Sequence, residues 1–253
     1  MELNVLGCGG GLGTGEQTTS LLLDGSVLLD AGSGIGSLGI EEMTRLRAVF
    51  LTHSHMDHIC YLPFLADTLF GRLDAPLPIL ARQETIEALR DHVLNNVIWP
   101  DFTAIPADRP VLRLQPVTPG ETVTIGHLSI TAIDVPHVVP ALAYYVTDGE
   151  RHFAFSGDTT TNDTFWKALN ARPRLDTLVM EAAFADKDAH ISRLSQHYSP
   201  GMLADDMVKL DHDPVIYLSH PKPGFEQTIL DECRGHMPER DLRGLSSGDR
   251  ITV

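Results

Sequence analysis

Cysteine is scarce in this sequence. Cys8, Cys60 and Cys233 make an odd count and form no C-x-x-C pair. That argues against a disulfide framework or a cysteine-built zinc site, and it fits a reducing compartment. Positive charge is scarce too: 19 Lys and Arg face 34 Asp and Glu, a formal net charge of −15. So acidic a surface repels DNA, tRNA and anionic membranes, although a local cation can still draw in a small anion. No apolar run is long enough to span a membrane, and Met1-Glu2-Leu3-Asn4 does not begin a basic-then-apolar leader. The expected location is therefore the cytoplasm. The glycine-rich run Gly7 to Gly15 carries no lysine after it, so it lacks the pattern of a phosphate-binding P-loop. Tight-turn duty is the expected reading of that run.

The chain has 253 residues, 43% of them hydrophobic, which is enough for a sizeable core. No repeat or long linker divides it, and a single domain over 1–253 is expected. Short apolar runs with turn-rich flanks predict strands at Leu3 to Leu6, Ala48 to Leu51, Leu128 to Ile133, Phe153 to Phe155, Leu178 to Met180 and Val215 to Leu218. Leu21 to Leu29 reads as a hairpin turning at Asp24-Gly25. Ile86, Leu89, Val93, Leu94 and Val97 recur at helical spacing, which predicts a helix over Arg82 to Ile98. A second is predicted over Ser199 to Leu210, with Ser199 as N-cap and Pro200 in the first turn. Mixed elements of this kind mean an α/β or α+β fold.

Polar residues follow the apolar runs directly. Leu51 leads into His53, Phe155 into Asp158, Met180 into Glu181 and Leu218 into His220. Residues at strand ends can converge on one sheet edge, where a rigid scaffold holds a site. The densest group is Thr52-His53-Ser54-His55-Met56-Asp57-His58. Imidazole and carboxylate suit zinc, manganese or iron, and four such groups in one loop more naturally serve two ions than one. In an extended segment His53, His55 and Asp57 share a face. His137, Asp158 and His220 are the candidate partners from elsewhere. His92, His127, His152, His190, His212 and His236 read as ordinary surface or hydrogen-bonded histidines. Tyr61, Trp99 and Phe102 could stack on a base, but core packing is the commoner use of such aromatics.

The H-x-H-x-D-H segment resembles the signature of the metallo-β-lactamase fold hydrolases, and His137, Asp158 and His220 follow in that superfamily's order. The resemblance implies an αββα sandwich, two mixed sheets flanked by helices. It assigns His53, His55 and His137 to one divalent ion and Asp57, His58 and His220 to a second, with Asp158 bridging; zinc is the first expectation. More narrowly, the chain is similar to the class II 3′,5′-cyclic-nucleotide phosphodiesterases. Thr52 to Ile59, Glu84 to His92, Ile98-Trp99-Pro100-Asp101-Phe102-Thr103, Phe155 to Thr159, Met180 to Phe184, Leu194 to Pro200 and Leu218 to Pro223 carry the likeness. Cys60-Tyr61 stands where the class II pattern usually has a glycine.

That resemblance implies hydrolysis of cyclic AMP or cyclic GMP, a small cyclic-nucleotide partner rather than a nucleic acid polymer, and a homodimer. Two divalent ions, two aspartates and a hydroxide leave one positive charge, which matches a phosphodiester. His197 is the expected proton donor to the leaving oxygen, held by Glu181, and Asp57 would orient the nucleophile as well as bind metal. The same motif also serves tRNA 3′-end processing, which the acidic charge disfavours. A metal-free nucleotide-binding relative would have lost ligands that are all present here. Flavin-linked di-iron proteins of this fold carry a glutamate where His55 stands.

Overall fold

The computed structural model describes residues 1–13 and 15–253; Thr14, inside the glycine run, lies outside the described residues. The first stretch of chain supplies β1 (Glu2–Gly7), β2 (Ser20–Leu23), β3 (Val27–Leu29), β4 (Ala48–Phe50), β5 (Leu77–Ala81) and β6 (Leu112–Pro116). The second supplies β7 (Thr122–Ile125), β8 (Leu128–Val135), β9 (Ala141–Thr147), β10 (His152–Phe155), β11 (Thr177–Glu181), β12 (Val215–Ser219) and β13 (Leu242–Gly244). A last strand, β14 (Arg250–Thr252), returns to the first sheet beside β1. The sheet orders are β14-β1-β2-β3-β4-β5-β6 and β13-β12-β11-β10-β9-β8-β7.

Each sheet is antiparallel on one side and parallel on the other. In the first, β3 through β6 pair parallel; in the second, β10 through β13 do. Alternate side chains explain the sandwich. Val27 and Leu29 face the second sheet, where Tyr144, Phe153 and Val179 meet them. Leu28 and Val49 face outward under α3 (Leu62–Leu69) and α4 (Gln83–His92), which follow the short helices α1 (Ile40–Thr44) and α2 (Met56–Ile59). Leu178 and Met180 likewise pack outward, under α5 (Thr164–Asn170), α7 (Pro200–Met207) and α8 (Glu226–His236). With both faces covered, the strands read as continuous apolar runs rather than alternating ones. The result is the expected αββα sandwich. No helix among the described residues is long and apolar enough to cross a membrane.

The hairpin forms as expected, with Asp24 and Gly25 both at positive φ. Two helical expectations need correction. α4 stops at His92, short of Ile98. The Asn95 side chain accepts the Val97 and Ile98 amides, and Asn96 takes φ 61°, so a turn replaces the last helical turn. Val97, 85% exposed, is not a core residue. Ser199 does occupy the N-cap of α7, but its side chain makes no cap hydrogen bond.

Candidate metal centre

The ends of β3, β4, β10, β11 and β12 meet along one rim of the sandwich. After β4 the chain stays extended through His53 and His55, and then α2 (Met56–Ile59) begins. That helical start is why the shared face holds for His53 and His55 but fails for Asp57. The turn carries Asp57 over to His58. Two four-residue groups result, His53, His55, His137 and Asp158, and Asp57, His58, Asp158 and His220. In each, the candidate ligand atoms lie within 4.8 Å of one another. Asp158 is common to both. Its Oδ2 lies 3.2 Å from His58 Nε2, 3.3 Å from His220 Nε2 and 3.6 Å from His53 Nε2.

The donor set fits divalent ions on a structural ground. The Nε2 atoms of His53, His58 and His220 are buried and have no hydrogen-bond partner. Such orphans are costly unless something else engages them. The opposite ring nitrogens are held. His58 Nδ1 donates to Asp30 Oδ2 at 2.7 Å, and His137 Nδ1 donates to the Gln196 carbonyl at 3.0 Å. Thr52 Oγ1 donates to Asp30 and accepts from His53 Nδ1 at 2.9 Å. Thr19 Oγ1 lies 3.4 Å from His220 Nδ1. Fixing Nδ1 in this way aims the Nε2 lone pair, as partners of metal-bound imidazoles do. The group is thus compatible with the dinuclear metal site typical of this fold.

Electrostatics agrees with geometry. Burial holds His53 and His220 well below the ordinary imidazole range and takes His137 down to about 4. Neutral imidazole is the form that ligates. His58 goes the other way: burial opposes its proton, but Asp158 and Asp30 outweigh it. Asp158 is held well below the carboxylate range, because His220 and His58 overcome its burial.

His197 and Glu181 are also brought together. His197 Nδ1 donates to Glu181 Oε1 at 2.8 Å. The carboxylate further accepts the Thr159 and Tyr198 amides at 2.9 and 3.2 Å. The His197 ring stacks on His220 at 5.2 Å and meets His137 edge-on at 5.0 Å, so it borders both groups. Burial lowers its proton affinity, but Glu181 reverses this and raises its pKa.

Asp30 was missed in the sequence. It is fully buried, takes φ 62°, and holds one imidazole of each group, His58 directly and His53 through Thr52. Its signal was there: Val27-Leu28-Leu29-Asp30 is another apolar run ending in a polar residue. Gln196 and His220 also take positive φ, at 54° and 64°. Non-glycine residues in that region are strained, and such strain gathers at functional sites. The histidines read as ordinary behave so where their partners are seen: His127 pairs with Asp24, His152 with Tyr145, His212 with the Leu169 carbonyl and His236 with Asp186. Phe102 is buried in the outer core of the first sheet, with Tyr61 and Trp99 packed against it. The glycine run does more than turn. A Cβ on Gly10 would lie 2.5 Å from the His220 carbonyl and 2.9 Å from its ring.

Comparison with known proteins agrees with this geometry. The family described as "Beta-lactamase superfamily domain" matches residues 26–213. A Yersinia pestis protein named "Probable 3′,5′-cyclic-nucleotide phosphodiesterase" is 25% identical, over 89% of this chain and 79% of its own length. A ribonuclease Z of Pyrococcus abyssi is 27% identical over 64% of this chain and 53% of its own length. Among solved structures, unliganded yeast PDE1 superposes with a TM-score of 0.85 at 19% identity, covering 100% of this chain and 99% of that one.

Proposed function

The chain belongs to the beta-lactamase superfamily domain family, and from that premise we propose that it is a metal-dependent phosphodiesterase opening 3′,5′-cyclic nucleotides to 5′-monophosphates. The observation that carries the reading is the His197–Glu181 pair bordering both ligand groups. A phosphodiester needs charge neutralisation and a proton for its leaving oxygen, and the two features together supply both. His53, His55 and His137 would hold one divalent ion, and Asp57, His58 and His220 the other, with Asp158 between them. Bound there, such ions supply Lewis-acid polarisation of the phosphoryl group and activation of water.

The chain's own residues do the rest. Glu181 accepts from His197 Nδ1, so His197 Nε2 is left to carry a proton toward the ribose oxygen. Three donors fix the carboxylate, so it cannot swing away from His197. Asp57, whose side chain is 28% exposed where those of His58 and Asp158 are 0% and 3%, accepts a hydrogen bond from the attacking water and orients it. Buried Asp30 keeps His53 and His58 in register.

The cyclic-nucleotide substrate is supported by the likeness to the Yersinia relative along most of both chains. Likeness to a ribonuclease Z favours a second reading, tRNA 3′-end cleavage. The net charge of −15 opposes it, since polyanion binding rests on basic surface. The test is incubation of metal-loaded protein with cyclic AMP and cyclic GMP, followed by chromatography. Appearance of the 5′-monophosphate is expected. No turnover of either, with metal content verified, overturns the substrate assignment.

A further inference from the structure

Lys222 lies two residues beyond His220. Its ammonium donates to the Gly10 carbonyl at 2.8 Å. Gly10 also abuts the His220 ring, leaving no space for a side chain. On its other side the ammonium lies 5.7 Å from the Phe184 ring centroid, and Phe184 lies 5.9 Å from the His197 ring. His197 in turn stacks on His220. His220, His197, Phe184, Lys222 and Gly10 therefore form a closed circuit around one side of the metal centre.

The circuit is held by backbone. Lys222 N–H donates to Ala183, Gly10 N–H to Pro221 and His220 N–H to Cys8. The glycine run and the loops after β11 and β12 thus fix where the ammonium sits. Its ammonium also stands apart from the carboxylates that hold two of the other lysines. Lys167 and Lys209 pair with Asp163 and Asp206. Lys222 has no carboxylate partner among the described residues, and only one of its three N–H bonds is engaged with Gly10. A half-buried cation left unpaired beside a metal centre is suited to an anion that arrives from solution.

We propose that Lys222 is a substrate-binding residue whose ammonium takes a non-bridging phosphoryl oxygen of the substrate and of the monophosphate product. This rests on the phosphodiesterase reading and names the residue that anchors the phosphate. The glycine run contributes here by a carbonyl, Gly10 O, that aims a lysine distant in sequence, rather than by amides that cradle a phosphate. A charge-assisted hydrogen bond is roughly twice as strong as a neutral one.

The test compares metal-loaded wild type with Lys222→Gln, Lys222→Arg and Lys187→Gln. Binding of inorganic phosphate is measured by calorimetry, and turnover with a cyclic nucleotide and with bis(p-nitrophenyl) phosphate. Glutamine keeps a donor for Gly10 but removes the charge; arginine keeps the charge. Lys187, whose ammonium rests over Phe225, serves as control. Lys222→Gln should weaken phosphate binding about 10- to 100-fold, with Lys222→Arg recovering much of it and Lys187→Gln unchanged. Metal content should stay equal. Equal phosphate affinity in wild type and Lys222→Gln overturns the proposal, as does a loss that accompanies loss of metal. If wild type cleaves bis(p-nitrophenyl) phosphate but no cyclic nucleotide, the substrate reading fails while phosphate affinity still decides the role of Lys222.

Discussion

The two sheets serve the candidate centre in different ways. The first delivers its residues in bulk: the loop after β4 carries His53, His55, Asp57 and His58, and one buried carboxylate, Asp30, steadies it from the end of β3. The second delivers residues singly, His137 after β8, Asp158 after β10, Glu181 at the end of β11 and His220 after β12, with His197 following α6 (Ala189–Ser195). It has a buried carboxylate of its own, but Glu181 steadies His197, which belongs to neither ligand group. The same device, an acid that accepts from the backbone and is aimed at an imidazole, steadies a candidate ligand on one side and, in the proposed mechanism, the proton donor on the other.

Substitutions can break or sharpen this contrast. The largest effect is expected at Asp158, whose Oδ2 faces imidazoles of both groups. Asp158→Ala should abolish turnover and lower metal content toward zero, read by elemental analysis. Retention of both ions would mean that the sheets bind metal independently. Next comes His197→Ala, expected to slow turnover by roughly 10²- to 10⁴-fold while both ions remain, the usual range for a positioned acid. Metal loss in that variant would erase the distinction between the two buried acids. Asp30→Asn should instead weaken metal affinity by about 10- to 100-fold, with turnover recovering in excess metal. A defect that metal does not rescue would show Asp30 acting on chemistry. Smallest is Thr19→Val, which removes a long contact to His220. A few-fold loss of metal affinity is expected, below that for Asp30→Asn.

Legibility in the sequence follows the same divide. Four candidate ligands in six positions are visible because local spacing alone makes them a cluster. The residues of the second sheet are adjacent only after folding. Order and resemblance pointed to His137, Asp158 and His220, yet nothing local says that His197 and Glu181 lie 2.8 Å apart. The strand-end pattern would have reached Asp30 had it been applied to the Leu29 run. The strands were readable because double cover leaves continuous apolar runs, while the sandwich arrangement came from the resemblance and not from periodicity. The end of α4 was not, since apolar spacing through Val97 matched a helix while the Asn95-Asn96 pair broke it. The face expected for Asp57 failed for a related reason, since two-residue periodicity holds only until α2 begins, although its grouping with His58, Asp158 and His220 stands.

β14 belongs to the first sheet by its pairing with β1 and to the second by the chain that leads into it from β13. Just before it, the Leu245 amide is bonded to Leu218 beside β13, and the Gly248 amide to Val5 of β1. Neither half can open without drawing this strand across the seam. Thermal melting is therefore expected to be one cooperative transition, with the slowest-exchanging amides of both sheets released together. Both ligand groups straddle that seam, so heat should strip the two ions in a single event rather than one after the other.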